Sequence, residues 1–294
     1  MLSTLDFSII ILFLVGISAY GIYNSRFNKT SEDYFLAGRD MPWWAAMLSI
    51  VATETSVLTF ISIPGLAYRD NWFFLQLALG YILGRILVSI FLLPAYFKGG
   101  ITSIYEVLGD RFGIKIQKTA SGVFLITRIL ADGIRFLATA VIVQVVTGWS
   151  LPVAVLIIGA VTIVYTLMGG IRTVVWVDSF QFVLYIGGGL IAIIYILMHS
   201  DASLGTMMTQ LNDQGKLDIV RWGWDLFSNP WLFISAVFGG MLLSFASHGA
   251  DYMMVQRVLS VRNLTGARKA MIGSGIFVFI QFSVFLLAGS LIYI

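Results

Sequence analysis

The sequence predicts an all-α polytopic membrane protein with about eight transmembrane helices. Three observations predict it. Hydrophobic residues make up 59% of the 294 positions and charged residues only 11%, against about 25% charged in ordinary soluble domains. The apolar residues gather into stretches of about 20, the length that crosses a bilayer's hydrocarbon core. The Lys and Arg residues fall unevenly between alternate loops. A chain this apolar could not cover its surface with polar groups in water, which excludes soluble enzymes, disordered chains and nucleic-acid binders. The net charge of +3 is too small to point to DNA or RNA. Cysteine is absent, so there is no disulfide framework, thiolate metal site or cysteine nucleophile.

The first span is Leu5–Tyr23. It is not a signal peptide, because no Lys or Arg precedes it and no small-residue cleavage site follows. Its positive flank, Arg26 and Lys29, comes afterwards, which places the N-terminus outside. The next spans are Pro42–Ile63, Trp72–Tyr96, Thr119–Val146 and Leu151–Met168. The last three are Trp176–His199, Pro230–Met253 and Met271–Ile294. Alternating from the first, twelve of the 18 Lys and Arg residues fall on the inner side. Three fall outside (Arg69, Lys216 and Arg221), and Arg85, Arg128 and Arg135 lie within spans. This bias satisfies the positive-inside rule, and a shift by one span reverses it. Between spans, Ser103-Ile-Tyr-Glu106 is a capping box that starts a short inner helix. Ser200–Asn229 is the longest polar segment, with Arg221-Trp-Gly-Trp224 as an interfacial anchor. The last span ends flush with Ile294, so the chain is expected to be a fragment.

Charged and polar residues inside spans are costly and usually face a cavity or a partner. The second span carries Ala52-Thr53-Glu54-Thr55-Ser56 near its middle. Either the hydroxyls bond back to the preceding turn, or the segment unwinds and offers oxygens to a cation. In the fourth span Arg128, Asp132 and Arg135 share one helical face. They form an ion-pair ladder with Asp132 bridging both arginines, or an anion-binding wall. Asp178, at the entry of the sixth span, either sits among headgroups or ligates a hard cation. Ser247, His248, Gly249 and Asp251 mark a second irregular stretch, where His248 is a packing residue or a proton relay. Gln76 and Arg85 of the third span are weaker candidates, and Arg85 is expected to snorkel inward. No metalloprotease helix, phosphate loop, nucleophile elbow or dinucleotide fingerprint is present, so no enzyme is expected.

The segments Ser31-Glu-Asp-Tyr-Phe-Leu-Ala-Gly-Arg-Asp-Met-Pro-Trp-Trp44 and Ile101-Thr-Ser-Ile-Tyr-Glu-Val-Leu-Gly-Asp-Arg-Phe112 resemble the sodium/solute symporter family. So do Gly169-Gly-Ile-Arg-Thr-Val-Val-Trp-Val-Asp178 and Val255-Gln-Arg257. The matches run in order over nearly the whole chain. Within the family, Ser62-Ile-Pro-Gly-Leu-Ala-Tyr68 looks most similar to the bacterial sialic acid symporters. The resemblance implies a leucine-transporter-like fold of two inverted five-helix repeats around a midplane site. It implies one transmembrane domain over 1–294, incomplete, with an extra helix at 5–23 and core helices from 42 onward. It implies backbone carbonyls of Ala52 and Thr55 at a main sodium site, with Asp178 serving a further sodium. Ser56 and Thr59 take substrate-contacting positions. The sialic acid group's carboxylate-binding arginine aligns at Ala131, flanked here by Arg128 and Arg135. The remaining sodium ligands, serines of the eighth core helix, are placed beyond Ile294.

The function expected from these readings is sodium-coupled symport of a small polar, anionic organic solute by alternating access. Solute contacts are assigned to Ser56, Thr59, Gln76, Arg128, Arg135, Ser247 and His248, and sodium contacts to Ala52, Thr55 and Asp178. Sodium is the coupling ion, with no other cofactor. The partners are solute, sodium and the lipid bilayer of a cell inner membrane, with no nucleic acid. The alternatives are a sodium-coupled sugar or polyol symporter and a transporter-like sensor module of a larger membrane kinase.

Overall fold

The computed structural model describes residues 2–101, 103–225 and 229–294. The first span is α1 (Thr4–Ser25), opened by a Ser3/Asp6 capping box. A short α2 (Ser31–Leu36) leads to the second span, which is two helices, α3 (Trp43–Glu54) and α4 (Val57–Arg69). They bend by 68° at Thr55–Ser56. The third span is α5 (Phe74–Leu87), a wide turn over Val88–Leu92, and α6 (Leu93–Lys98). The inner helix α7 (Ile104–Phe112) starts at the expected capping box, with Ser103 and Glu106 bonding reciprocally.

The fourth span is α8 (Ile114–Thr147). The fifth and sixth form one element, α9 (Leu151–His199), broken at Gly170. Its 49 residues would reach about 74 Å as a straight helix, more than twice the hydrocarbon core. Gly170 has φ 62° and ψ −166°, a conformation open essentially to glycine alone. A Cβ there would also press on the Tyr34 carbonyl. An amphipathic helix, α10 (Leu204–Asp213), fills part of the polar segment after His199, burying Met207 and Leu211. The polar composition of that segment hid it.

The seventh span is again two helices, α11 (Phe233–Gly249) and α12 (Tyr252–Leu259), bent by 66°. It runs past the expected end at Met253, because Asp251 caps α12 and restarts the helix. The last is α13 (Leu264–Tyr293). Among the described residues, five helices are each long and apolar enough to cross a membrane, and two bent pairs pass the same test together. With α9 divided at Gly170, these make the eight expected spans.

α13 is the axis of the packing. It meets both halves of the second span, α5 and α9, and buries Val278, Phe282, Phe285 and Leu286 among Val51, Ile63, Leu75 and Phe182. A second core joins Ile50, Val88 and Leu93 to Val255, Val258 and Met271. Helices α5 and α11 pack most closely. Gly80 and Gly84 abut the α11 backbone, and Gly240 abuts the Leu77 carbonyl, so a Cβ at any of the three would collide. Small residues let spans approach in this way. In contrast α8 buries only Ala140 and exposes Ile126, Ile129, Leu130 and Ile134. Met41 N–H donates to the Ser260 carbonyl (3.0 Å), tying the entry of the second span to the exit of the seventh.

Candidate functional site

The break in the second span exposes backbone. Thr55 N–H and its hydroxyl both donate to the Val51 carbonyl (3.0 and 2.9 Å). The next N–H, of Ser56, turns to Thr59 Oγ1 (3.4 Å) instead of the Ala52 carbonyl four residues back. Ser56 Oγ accepts from Thr59 N–H, closing the cap of α4. Among the described residues no backbone donor reaches the carbonyls of Ala52, Thr53 or Glu54. These are the oxygens a broken helix leaves for a cation. Thr55 is buried, and its Oγ1 accepts from Gln281 Nε2 (2.7 Å) on α13.

Asp178 stands on α9, eight residues past the break at Gly170, and is buried. Its Oδ2 accepts from Ser49 Oγ (2.6 Å), Thr53 Oγ1 (3.2 Å) and Arg257 Nη2 (3.0 Å). Arg257, at the end of the matched Val-Gln-Arg segment, is 4% exposed and pairs with this carboxylate. Sequence reasoning missed this pairing, because the partners are 79 residues apart. Asp178 Oδ1 makes no hydrogen bond among the described residues. Asp178, Ala52, Thr53 and Gln181 line one cavity of about 540 Å³ between α3, α9 and α12.

A second cavity, of about 230 Å³, lies on the other side of Glu54. Arg128 and Arg135 line it from α8, Tyr81 from α5, and Ser244, Ser247, His248 and Asp251 from α11 and the second break. The expected ladder forms only in part. Arg128 Nε donates to Asp132 Oδ2 (2.7 Å) and its Nη1 to Asp251 Oδ2 (3.2 Å). The guanidinium of Arg135 has no partner among the described residues, so Asp132 does not bridge both arginines.

Glu54 faces this cavity and is held from behind by Arg85 Nη2, while Arg85 Nη1 donates to Ser274 Oγ (2.7 Å). Arg85 is fully buried. It does not snorkel, because an ion pair with Glu54 inside the bundle takes the place of water. His248 is also buried; its Nδ1 meets Ser247 Oγ (2.9 Å), and its Nε2, 3.7 Å from Glu54 Oε2, has no hydrogen bond.

Three expected solute contacts lie outside this cavity. Gln76 is fully buried and donates to the Phe73 and Trp231 carbonyls (3.2 and 3.1 Å). Its Oε1 accepts from Arg221 N–H (3.0 Å). With both ends of its amide engaged, Gln76 staples the segments at Arg221 and Trp231 to α5. Ser56 and Thr59 cap α4 and do not line the cavity around Arg135.

Residues 34–294 match the sodium:solute symporter family. Two relatives are 30% identical: the sodium/sialic acid symporter NanT of Aliivibrio fischeri, matched over 92% of this chain, and SiaT of Proteus mirabilis, over 99%. The human sodium-coupled monocarboxylate transporter 2 is 28% identical over 87% of the chain. The chain spans 53%, 58% and 41% of these relatives' own lengths. A solved sodium-coupled sialic acid symporter, in a substrate-bound outward-open state, overlays with a TM-score of 0.90 at 28% identity. The overlay covers 99% of this chain and 60% of that one, and the two share a leucine-transporter-like fold. The two broken spans, their freed carbonyls and the polar cavity between them thus sit in a known frame: the chain belongs to the sodium:solute symporter family.

Proposed function

We propose that the full-length protein couples sodium movement down its gradient to uptake of a small polar organic anion by alternating access. The observation that carries this reading is Arg135, an unpaired guanidinium lining a cavity beside a broken span. Arg135 is exposed on α8 and without a partner among the described residues, so its planar fork is open to a carboxylate on a solute. The sodium names and monocarboxylate or sialic acid names of the relatives support the same class.

In this reading sodium is held by the carbonyls of Ala52 and Thr55 and met by the free oxygen of Asp178. Ordering of the break by sodium sets the Ser56 cap and the α4 N-terminus. The solute lies against Arg135, with Ser247 and His248 opposite, and Arg128 keeps the cavity's shape. Each positive charge carried across 100 mV contributes about 2.3 kcal/mol.

The test is uptake of labelled carboxylates by the reconstituted full-length protein, with and without a sodium gradient. Arg135→Gln removes a charged hydrogen bond, so the apparent KM should rise roughly 10- to 100-fold. A well-folded Arg135→Gln protein with an unchanged KM, or uptake indifferent to sodium, defeats the reading.

We further infer an inner-membrane protein with its N-terminus outside, a reading supported by the charge bias between alternate loops. Because the chain has no cysteine, single cysteines report this directly. A cysteine at the exposed Asn212 should react with an impermeant thiol reagent in intact cells, and cysteines at Ser31 and Asn263 should not. The reverse pattern inverts the orientation.

A further inference from the structure

Helix α13 carries three fully buried polar side chains, Ser274, Gln281 and Ser290. The two serines have their hydroxyls engaged: Ser274 Oγ accepts from Arg85 Nη1 (2.7 Å) and Ser290 Oγ from Trp72 Nε1 (2.9 Å). Gln281 is half engaged. Its Nε2 donates to Thr55 Oγ1 (2.7 Å), and its buried Oε1 has no partner among the described residues. The stretch around it buries Val278, Phe282 and Phe285 against Val51 and Ile63.

The direction of this amide is fixed by what it meets. The single proton of the Thr55 hydroxyl is given to the Val51 carbonyl (2.9 Å). The hydroxyl can therefore only accept from Gln281, so the amide turns its NH2 to Thr55 and its oxygen away. A buried acceptor without a partner costs more than one neutral hydrogen bond returns. Methionine, of similar length and volume, would fill the same space without that cost. Packing does not account for the glutamine, and its one bond leads to Thr55.

Thr55 is the residue on which α3 ends, with φ −90° and ψ 98°. Its N–H and hydroxyl both hold the Val51 carbonyl, and Gln281 takes the remaining side of the hydroxyl. The bond from α13, the axis of the packing, thus locks the side chain of the residue at the break. Partners that orient a metal ligand without touching the metal change its affinity roughly 10- to 100-fold when removed.

We propose that Gln281 is a positioning residue for the sodium site: it fixes the Thr55 hydroxyl and, through it, the direction of the Thr55 carbonyl. The proposal rests on the assignment of sodium to the Ala52 and Thr55 carbonyls given above. Gln281 gives up stability to hold a ligand and is not itself one.

The experiment uses the full-length protein and sodium alone as the probe, with choline replacing sodium at constant ionic strength. Binding is read as the sodium concentration that raises the melting temperature. Gln281→Met should melt at or above the wild-type temperature in choline. Its response to sodium should move to concentrations roughly tenfold or more above wild type. Thr55→Val should weaken sodium as well, and adding Gln281→Met to it should weaken sodium no further, because the two act in one chain. Should Thr55→Val fail to fold, Gln281→Met decides alone. An unchanged sodium response in Gln281→Met overturns the proposal and leaves the sodium site standing. So does a Gln281→Met protein that melts well below wild type in choline, which would make the amide structural, or a double variant that shows the sum of the two losses. A wild-type melting temperature indifferent to sodium overturns the sodium site and the proposal together.

Discussion

The second and seventh spans break in the same way and finish the break differently. Both bend by nearly the same angle, 68° and 66°. At the first break the new helix is capped by hydroxyls, Ser56 and Thr59, which carry no charge. At the second it is capped by a carboxylate: Asp251 Oδ1 accepts from the N–H groups of Met253 and Met254 (2.8 and 3.3 Å). The other Asp251 oxygen takes Arg128 from α8, and the Gly249 carbonyl takes the Tyr96 hydroxyl (2.7 Å). A helix C-terminus carries about half a negative charge and an N-terminus about half a positive one. At the second break a fixed anion already offsets the positive end. At the first, the negative end of α3 and the positive end of α4 are both left for ligands. The comparison separates a break held by the protein from a break to be completed by an ion and a solute.

Three substitutions sharpen or undo that contrast. The largest effect is expected at Glu54, the last residue of α3. Glu54→Ala leaves fully buried Arg85 without its counter-charge, and breaking such a pair costs about 3–5 kcal/mol. The thermal midpoint should fall steeply, and the double variant Glu54→Leu with Arg85→Met should recover much of it. A small loss in the single variant would mean that Arg85 does not depend on Glu54.

Asp251→Ala comes next. It removes a cap, worth about 1 kcal/mol, and a charge-assisted bond to Arg128, worth about 1.5–3 kcal/mol. Thermal unfolding should show a combined loss of roughly 2–4 kcal/mol. Arg128→Gln should remove only the second part, so equal losses in the two variants would show that the cap contributes nothing.

The smallest loss is expected at Ser56→Ala, about 1 kcal/mol from the uncharged cap. Here the informative quantity is the sodium concentration for half-maximal uptake, which should rise, since Thr59 loses the bond from its N–H to Ser56 Oγ and holds the residue-56 N–H away from the Ala52 carbonyl less firmly. Asp251→Ala should leave that midpoint nearer its original value. An equal shift in both variants would erase the distinction between the two breaks.

Much of this frame was legible in the sequence because it rests on local composition. Eight apolar stretches, the Ser103–Glu106 capping box and the cluster of hydroxyls and Glu54 in the second span all act within a few residues. The break was visible for the same reason, although α3 continues through Ala52 to Glu54 before it ends. What stayed hidden depends on which helices become neighbours. Glu54 with Arg85, Asp178 with Arg257 and Arg128 with Asp251 are each joined across different helices. The spacing of Arg128, Asp132 and Arg135 correctly marked one face of α8. It could not show that Arg128 would take both Asp132 and Asp251 and leave Arg135 without a partner among the described residues. The partners of Gln76 were hidden too, because a buried amide looks the same in sequence whether it meets a solute or two carbonyls and an N–H.

The glycine contacts between α5 and α11 have a mechanical meaning. Where backbone lies on backbone, at Gly80, Gly84 and Gly240, one helix cannot slide past the other without driving a side chain into a carbonyl. The two behave as a single plank. Tyr81 on one and Ser244, Ser247 and His248 on the other form the floor of the polar cavity, so that floor keeps its shape. Arg128 and Arg135 hang on α8, which is barely embedded in the rest. The width of the chamber is therefore set from the α8 side, like a vice with one fixed jaw.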